Sequence, residues 1–257
     1  MAWTINNGKL YFNSVLYTGN GNSSRNITGV GFGTGFTWLK ARSESEYHFL
    51  YDAVRGVTKG LSSDLNAAEA TYSDGLTAFV SDGFTLGSSN GINRNGTTYA
   101  SWNWLAAGTA PSNTYAVKVV SDSGNKYRFD DFGTSAVTLE ISEGGTFTFD
   151  QSDSSNNGHP LRFATQADAA NSSQYTTGVT TNGTPGQAGA YTRITVAASA
   201  PTLFYYCTNH SGMGGQANTP TTNSFSNFAG TIQSNISPNT TSGFSIVSYT
   251  GTGVANK

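Results

Sequence analysis

Short apolar–polar alternations, separated by tight-turn dipeptides, restrict this chain to β structure. Residues 36–42 (FTWLKAR) alternate in the way that a half-buried strand does. Asn-Gly and Asp-Gly dipeptides, which favour hairpin turns, recur between such runs at Asn20-Gly21, Asp74-Gly75, Asp82-Gly83, Asn90-Gly91 and Asn95-Gly96. Many short strands at close spacing predict an all-β fold of β-sandwiches or jelly rolls.

Length and charge indicate how many domains the chain contains and which kinds of function it is not expected to have. The 257 residues exceed one typical domain and fit two. Charged residues make up 11% of the chain and the net charge is -2, so no basic patch neutralises phosphates, and nucleic-acid binding is not expected. Residues 1–8 lack a basic segment and an apolar segment, and no apolar run approaches bilayer length. We therefore expect synthesis in a host cytoplasm without a signal peptide, and no membrane insertion.

Sulfur and imidazole side chains are concentrated near residue 210. Cys207, His210 and Met213 follow a C-x2-H-x2-M spacing, and His159 lies upstream in residues 157–161 (NGHPL). Two imidazoles, one thiolate and a weak thioether form the ligand set of a blue-copper centre. The alternative is that Cys207 only packs as a small hydrophobe. The chain has three His, one Cys and two Met, so their clustering favours a metal site. A single cysteine also excludes an intrachain disulfide framework.

Residues 204–210 (FYYCTNH) resemble the last strand and ligand loop of cupredoxins, plastocyanin and amicyanin above all. The resemblance implies copper as cofactor and a cupredoxin-like Greek-key sandwich over residues 115–218. It also implies that His159 and His210 are the imidazole ligands, Cys207 the thiolate ligand and Met213 the axial ligand. Two features depart from the family: a long stretch between His159 and Cys207, and Asn209 in place of a proline. Both argue against fast electron transfer more than against metal binding.

The first half of the chain carries a second set of ordered motifs at residues 36–42, 52–56, 81–87 and 99–104. Together they resemble a module of tail-fibre and other structural proteins of marine bacteriophages, which is similar to concanavalin-like lectin sandwiches. The resemblance implies a virion structural protein, in a tail fibre, a host-adhesion device or a capsid decoration. Its partners would be other virion proteins, copies of itself (a trimer by analogy) and a host cell-surface glycan.

Two other functions stay open at this stage. One is a copper-binding redox protein, and the other is a glycan-binding lectin module without metal. An enzyme is not expected, because the sequence has no G-x-S-x-G elbow, no H-E-x-x-H and no P-loop.

The patterns predict five segments: a leader over 1–11, a lectin-like sandwich over 12–108, a linker over 109–114, a cupredoxin-like domain over 115–218, and an extended tail over 219–257. The tail ends in a strand that echoes residues 12–25. Residues 244–253 align with 12–21 at a constant offset (244 − 12 = 232; 249 − 17 = 232). Such self-similarity indicates repeats or arrays. In an assembly this strand is expected to pair with a neighbouring sandwich edge; the alternative is an ordinary surface strand or a disordered terminus.

Overall fold

A computed structural model describes residues 7–106, 110–170 and 172–254. The described chain is almost entirely β structure, in several mainly antiparallel sheets, which confirms the predicted all-β class. It divides into two compact units: Met1–Gly108 with Ser237–Ile246, and Thr109–Ile236 with Val247–Lys257.

The first unit contains one six-stranded and one three-stranded sheet, in the orders β1-β9-β3-β4-β5-β6 and β2-β8-β7. The strands are β1 (Phe12–Thr18), β2 (Arg25–Ile27), β3 (Phe36–Ala41), β4 (Phe49–Asp52), β5 (Lys59–Ser62), β6 (Ala70–Thr71), β7 (Leu76–Val80), β8 (Gly83–Leu86) and β9 (Thr98–Trp104). A short helix, α1 (Asn90–Asn93), precedes β9, and a 3-10 turn, Gly8–Leu10, precedes β1.

Side chains from both sheets of this unit meet in one core. In β3 the alternation seen in the sequence places Leu39 and Ala41 inside. Tyr51 and Tyr99 from the large sheet join Phe84 and others from the small sheet in the same cluster. Burial of these side chains is the main force that holds the two sheets together.

The second unit holds two five-stranded sheets, in the orders β11-β10-β13-β17-β16 and β12-β19-β18-β14-β15. Their strands are β10 (Ser112–Ser121), β11 (Asn125–Phe129), β12 (Leu139–Glu140), β13 (Thr146–Asp150), β14 (Leu161–Ala164), β15 (Gln174–Tyr175), β16 (Val179–Asn182), β17 (Tyr191–Thr195), β18 (Leu203–Cys207) and β19 (Gly215–Asn218). Two 3-10 turns, Ser154–Asn156 and Ala167–Ala169, lie beside the strands.

An aromatic core joins these two sheets. Phe147 and Phe149 alternate with polar residues along β13 and are fully buried. They pack with residues of the other sheet, including Phe163 and Tyr205. Cys207 lies at the edge of this core, so the fold places its sulfur where core and surface meet.

Two expected boundaries differ from the structure. The linker over 109–114 is shorter than predicted, because β10 already begins at Ser112 and pairs in parallel with β13; residue 109 lies outside the described residues. Residues 219–257 are not an extended tail, since the part described, to residue 254, contains three strands in the order β20-β21-β22. These are β20 (Phe225–Asn227), β21 (Ser234–Asn239) and β22 (Phe244–Tyr249).

The physical reason for the second correction is burial. Phe225 and Phe228 enter the core of the second unit, and the Tyr115 hydroxyl donates to the Ser226 carbonyl at 2.8 Å. The low charge of this segment resembles a linker, but Phe225 and Phe228 complete the core. The leader over 1–11 is described only from residue 7. In the described residues, no helix has the length and apolar character needed to cross a bilayer.

Candidate metal centre

Strand pairing brings the distant His159 beside Cys207. β14 and β18 are antiparallel neighbours with Leu161 opposite Cys207. The ladder continues past the strand ends, because the Thr208 amide donates to the Pro160 carbonyl at 3.2 Å. His159 stands two residues before Leu161, so it reaches the same end of the sheet as the loop that follows Cys207. A separation of 48 residues in sequence is thereby closed.

Three of the four predicted ligands converge. The Cys207 Sγ lies 3.8 Å from His159 Nδ1 and 3.6 Å from His210 Nδ1. All three ligand atoms lie within 4.8 Å of one another, and the two imidazole centroids are 4.5 Å apart. Within the described parts of the chain, this is the one cluster of three or more His, Cys, Asp or Glu side chains with metal-binding proximity. The C-x2-H spacing and the upstream histidine therefore predicted a real convergence.

The separations fit two donors that share one metal ion. Metal–sulfur and metal–nitrogen bonds of about 2.3 and 2.0 Å place the two donor atoms roughly 3.5 Å apart at a tetrahedral angle, and slightly farther at a trigonal one. The observed 3.6 and 3.8 Å separations lie in that range. Cys207 is 4% exposed, His159 is half-buried and His210 is exposed. The thiol of the candidate centre is therefore buried, and the imidazole of His210 faces solvent.

Met213 is placed differently. Its side chain is 1% exposed and belongs to the core cluster that also contains Cys207. Its carbonyl accepts a hydrogen bond from the Tyr127 amide at 2.9 Å, which anchors the end of the ligand loop to β11. Burial in the same core as Cys207 is compatible with an axial thioether, and that role stays a prediction.

Three hydrogen bonds hold the two ligand segments, and the sequence alone did not reveal them. The Asn209 side-chain amide donates to the Gly158 carbonyl at 2.9 Å and so links the residues next to both histidines. The Tyr127 hydroxyl and the Gln151 amide donate to the His159 carbonyl at 2.9 and 2.8 Å. Asn209 stands where the cupredoxin loop commonly has proline, and that substitution was the one available signal. Tyr127 and Gln151 gave none, because their contacts depend on how the strands pair.

Hydrogen bonds and a close backbone contact fix the second end of the loop from Cys207 to Met213. The Gly212 amide donates to Asp168 Oδ2 at 2.8 Å, and Lys126 Nζ donates to the Gly212 carbonyl. At Gly214, an added Cβ would lie 1.7 Å from the Tyr205 carbonyl oxygen, so only glycine fits there. The loop from Cys207 to Met213 is therefore clamped at both ends by the fold.

The electrostatics favour a neutral imidazole at His159. Burial, and then the neighbouring His210, lower the pKa of His159 below its usual value of 6.5. A neutral imidazole is the form that binds a metal ion. Burial, and then the nearby Cys207, raise the pKa of Tyr127, which keeps its hydroxyl protonated as the donor to the His159 carbonyl.

Fold and cluster together define an all-β protein of two compact units with a candidate mononuclear metal centre in the second. Residues 7–128, just under half of the chain, match a family described as Domain of unknown function (DUF7483). The match spans β1 to β9 and continues through β10 into β11. No curated protein and no solved structure matches the chain.

Proposed function

We propose that the second unit binds one copper ion through His159, Cys207 and His210, with Met213 as a weak axial ligand. The observation that carries the proposal is the convergence of the thiol and both imidazoles within 4.8 Å. The site is built on two hydrogen-bonded strands and a clamped loop, so the ligands are held in place before metal arrives. Cysteine must lose its proton to bind, and metal binding therefore releases a proton.

The donor set favours copper over zinc. Structural zinc sites use four strong tetrahedral ligands from Cys, His or carboxylate side chains. This cluster offers three such ligands and contains no carboxylate. Two imidazoles and one thiolate with a distant thioether are instead the set that selects copper, where the axial ligand tunes the metal and does not anchor it.

The chain's own residues orient and shield the centre. Tyr127 and Gln151 fix the backbone of His159, and Asn209 ties that segment to the second ligand loop. The aromatic core beneath Cys207 excludes water from the sulfur side. The exposed His210 is the route by which metal, or a redox partner, reaches the site. Copper bound there supplies a one-electron couple.

A copper titration followed by visible absorption tests the proposal. The expected result is one equivalent of bound copper and an intense thiolate-to-copper band. Cys207→Ser should abolish the band, and His48→Gln, at the histidine of the first unit, should leave it unchanged. A parallel titration with zinc separates the two metals. No bound copper, a band that survives Cys207→Ser, or tight zinc binding with negligible copper binding would contradict the proposal.

We further propose that the chain is a structural component of a bacteriophage virion, in a tail fibre, an adhesion device or a capsid decoration. The support is the ordered motif set over residues 36–104 and a low-charge chain, with 11% charged residues, that folds into two β units. Copper would then act as a structural clamp, since a metal that binds only the folded state stabilises it. Immunogold labelling of particles from a phage lysate that carries the coding sequence should mark tails or capsids; label confined to unassembled protein would contradict this role.

A further inference from the structure

The repeated segment appears twice in the structure with opposite faces exposed. Residues 12–21 form β1 and the turn after it, and residues 244–253 form β22 and the segment after it. In β1 the residues that face inward are Asn13, Val15 and Tyr17. In β22 the inward residues are Phe244, Ile246 and Ser248. Because side chains alternate along a strand, the shared valine and tyrosine are turned inward in one copy and outward in the other.

In β1, contacts with the first unit explain the residues that the two repeats share. The Tyr17 hydroxyl donates to the Ile92 carbonyl at 2.8 Å, and its ring stacks on Tyr99 at 5.1 Å. Val15 packs against the core of the first unit. An added Cβ on Gly19 would lie 2.1 Å from the Arg94 carbonyl oxygen, so this position admits only glycine. The position of β1 beside β9 therefore selects for valine, tyrosine and glycine at this spacing.

The second repeat, residues 244–253, keeps the same valine, tyrosine and glycine, but there these residues lack the contacts that they make in β1. Tyr249, the equivalent of Tyr17, is 67% exposed, against 8% for Tyr17. Val247, the equivalent of Val15, is 52% exposed. A Cβ added to Gly251, the equivalent of Gly19, would meet nothing within 4 Å. Val247 and Tyr249 therefore leave an apolar stretch uncovered on one face of β22, and contiguous exposed apolar surface is where a partner binds.

We propose that residues 244–253 of one copy of this chain occupy the β1 position of a second copy, in place of that copy's residues 12–21. The proposal is independent of the copper centre. β22 ends the sheet order β20-β21-β22 and β1 ends the order of the six-stranded sheet, so each has one free edge among the described strands. Once β1 of the receiving chain leaves β9, the free edge of β22 of the donor chain can pair with that β9. β22 keeps its pairing with β21 of its own chain. Val247 and Tyr249 would then point into the receiving core.

The exchange replaces one strand pairing with another of the same kind. It breaks one strand pairing, that of β1 with β9, and remakes it with an equivalent strand, which is why exchange of identical elements costs little. β1 keeps one advantage, because Asn13 donates to the Val30 carbonyl at 3.0 Å and Ser245 is too short to do so. The donor chain buries Val247 and Tyr249, and the receiving chain exposes Val15 and Tyr17 in exchange. The association is therefore concentration-dependent.

Disulfide trapping tests the exchange. In β1 Thr18 is opposite Thr98 of β9, and Thr250 is the equivalent of Thr18. In a Cys207→Ser background, a Thr250→Cys chain is mixed with a Thr98→Cys chain at high concentration and oxidised. The expected product is a species of twice the chain mass whose peptide map shows a link between positions 250 and 98. Thr18→Cys with Thr98→Cys in one chain is the matched control, and it should close within the chain in the unexchanged form.

The result that overturns the proposal is an absent link between 250 and 98 while the control pair closes. Light scattering on the chain without added cysteines supplies a second readout. Association should rise with concentration and be lost in Val247→Ser/Tyr249→Ser, whereas Thr252→Ala should retain it. A chain that stays monomeric at every concentration, or a double variant that associates as before, would also overturn it.

Discussion

The histidines of the two units lie in different chemical settings. In the first unit, His48 Nδ1 accepts a hydrogen bond from the Trp38 indole at 3.1 Å, and the two rings pack with centroids 5.8 Å apart. In the second unit, the Nδ1 atoms of His159 and His210 face the Cys207 sulfur at 3.8 and 3.6 Å. Only the second arrangement brings several metal-binding atoms to one point.

The comparison separates a histidine whose Nδ1 accepts a hydrogen bond from an indole from two histidines that face one thiol. His48 has a donor at ordinary hydrogen-bond distance, so the fold already satisfies that nitrogen. The sulfur–nitrogen distances of the second unit suit two donors on one metal ion, and they also fall within the range of a thiol–imidazole hydrogen bond. What distinguishes the second setting is the convergence of a thiol and two imidazoles within 4.8 Å.

The largest expected effect comes from removing a ligand. His159→Ala should weaken copper binding more than the roughly 10–100-fold that loss of an outer-shell partner costs, because a metal bond itself is lost. His48→Ala should leave copper affinity unchanged. Competition with a chelator of known affinity measures both, with circular dichroism to confirm folding. Equal losses in the two variants would erase the contrast between the units.

A smaller effect is expected from the hydrogen bond between the two ligand segments. Asn209→Ala removes the donor to the Gly158 carbonyl and should weaken copper binding by about 10–100-fold. Asn182→Ala is the matched control, since the Asn182 amide donates to the Gly189 carbonyl at 2.8 Å on an exposed surface. The same chelator competition reports both variants. If the two variants bind copper alike, Asn209 has no role in positioning the ligands.

The sequence predicted those features that depend on local pattern. Alternation over residues 36–42 and the recurring turn dipeptides gave the all-β class, and in the structure the same alternation along β3 buries Leu39. The spacing of Cys207 and His210 places two candidate ligands in one loop. The structure brings His159 into the same cluster, and its approach depends on the register of β14 against β18. Metal binding by the three residues stays a prediction.

Features that depend on long-range pairing were missed. β10 pairs in parallel with β13, and short segments of low charge gave no signal that Phe225 and Phe228 would enter the core. Asp168 bonds to the ligand loop from a left-handed backbone conformation, with φ of 52°, inside a turn that no motif indicated. Such contacts arise from tertiary packing, which local propensity does not encode.

The smallest expected effect concerns protonation of His159 in the metal-free protein. Burial is the larger cause of its lowered pKa and His210 the smaller, so His210→Gln should raise the pKa only part of the way to 6.5. As pH falls through 6.5, the unfolded chain takes up a proton at this position before the folded one does. The free energy of unfolding therefore declines as the pH falls from 6.5 to the folded pKa, and it levels off below that pKa.

Titration of the imidazole ring protons by NMR measures the pKa of His159 in the parent chain and in His210→Gln. A pKa at or above 6.5, or full recovery in His210→Gln, would show that burial does not control the ring, and His159 would then resemble an ordinary surface histidine.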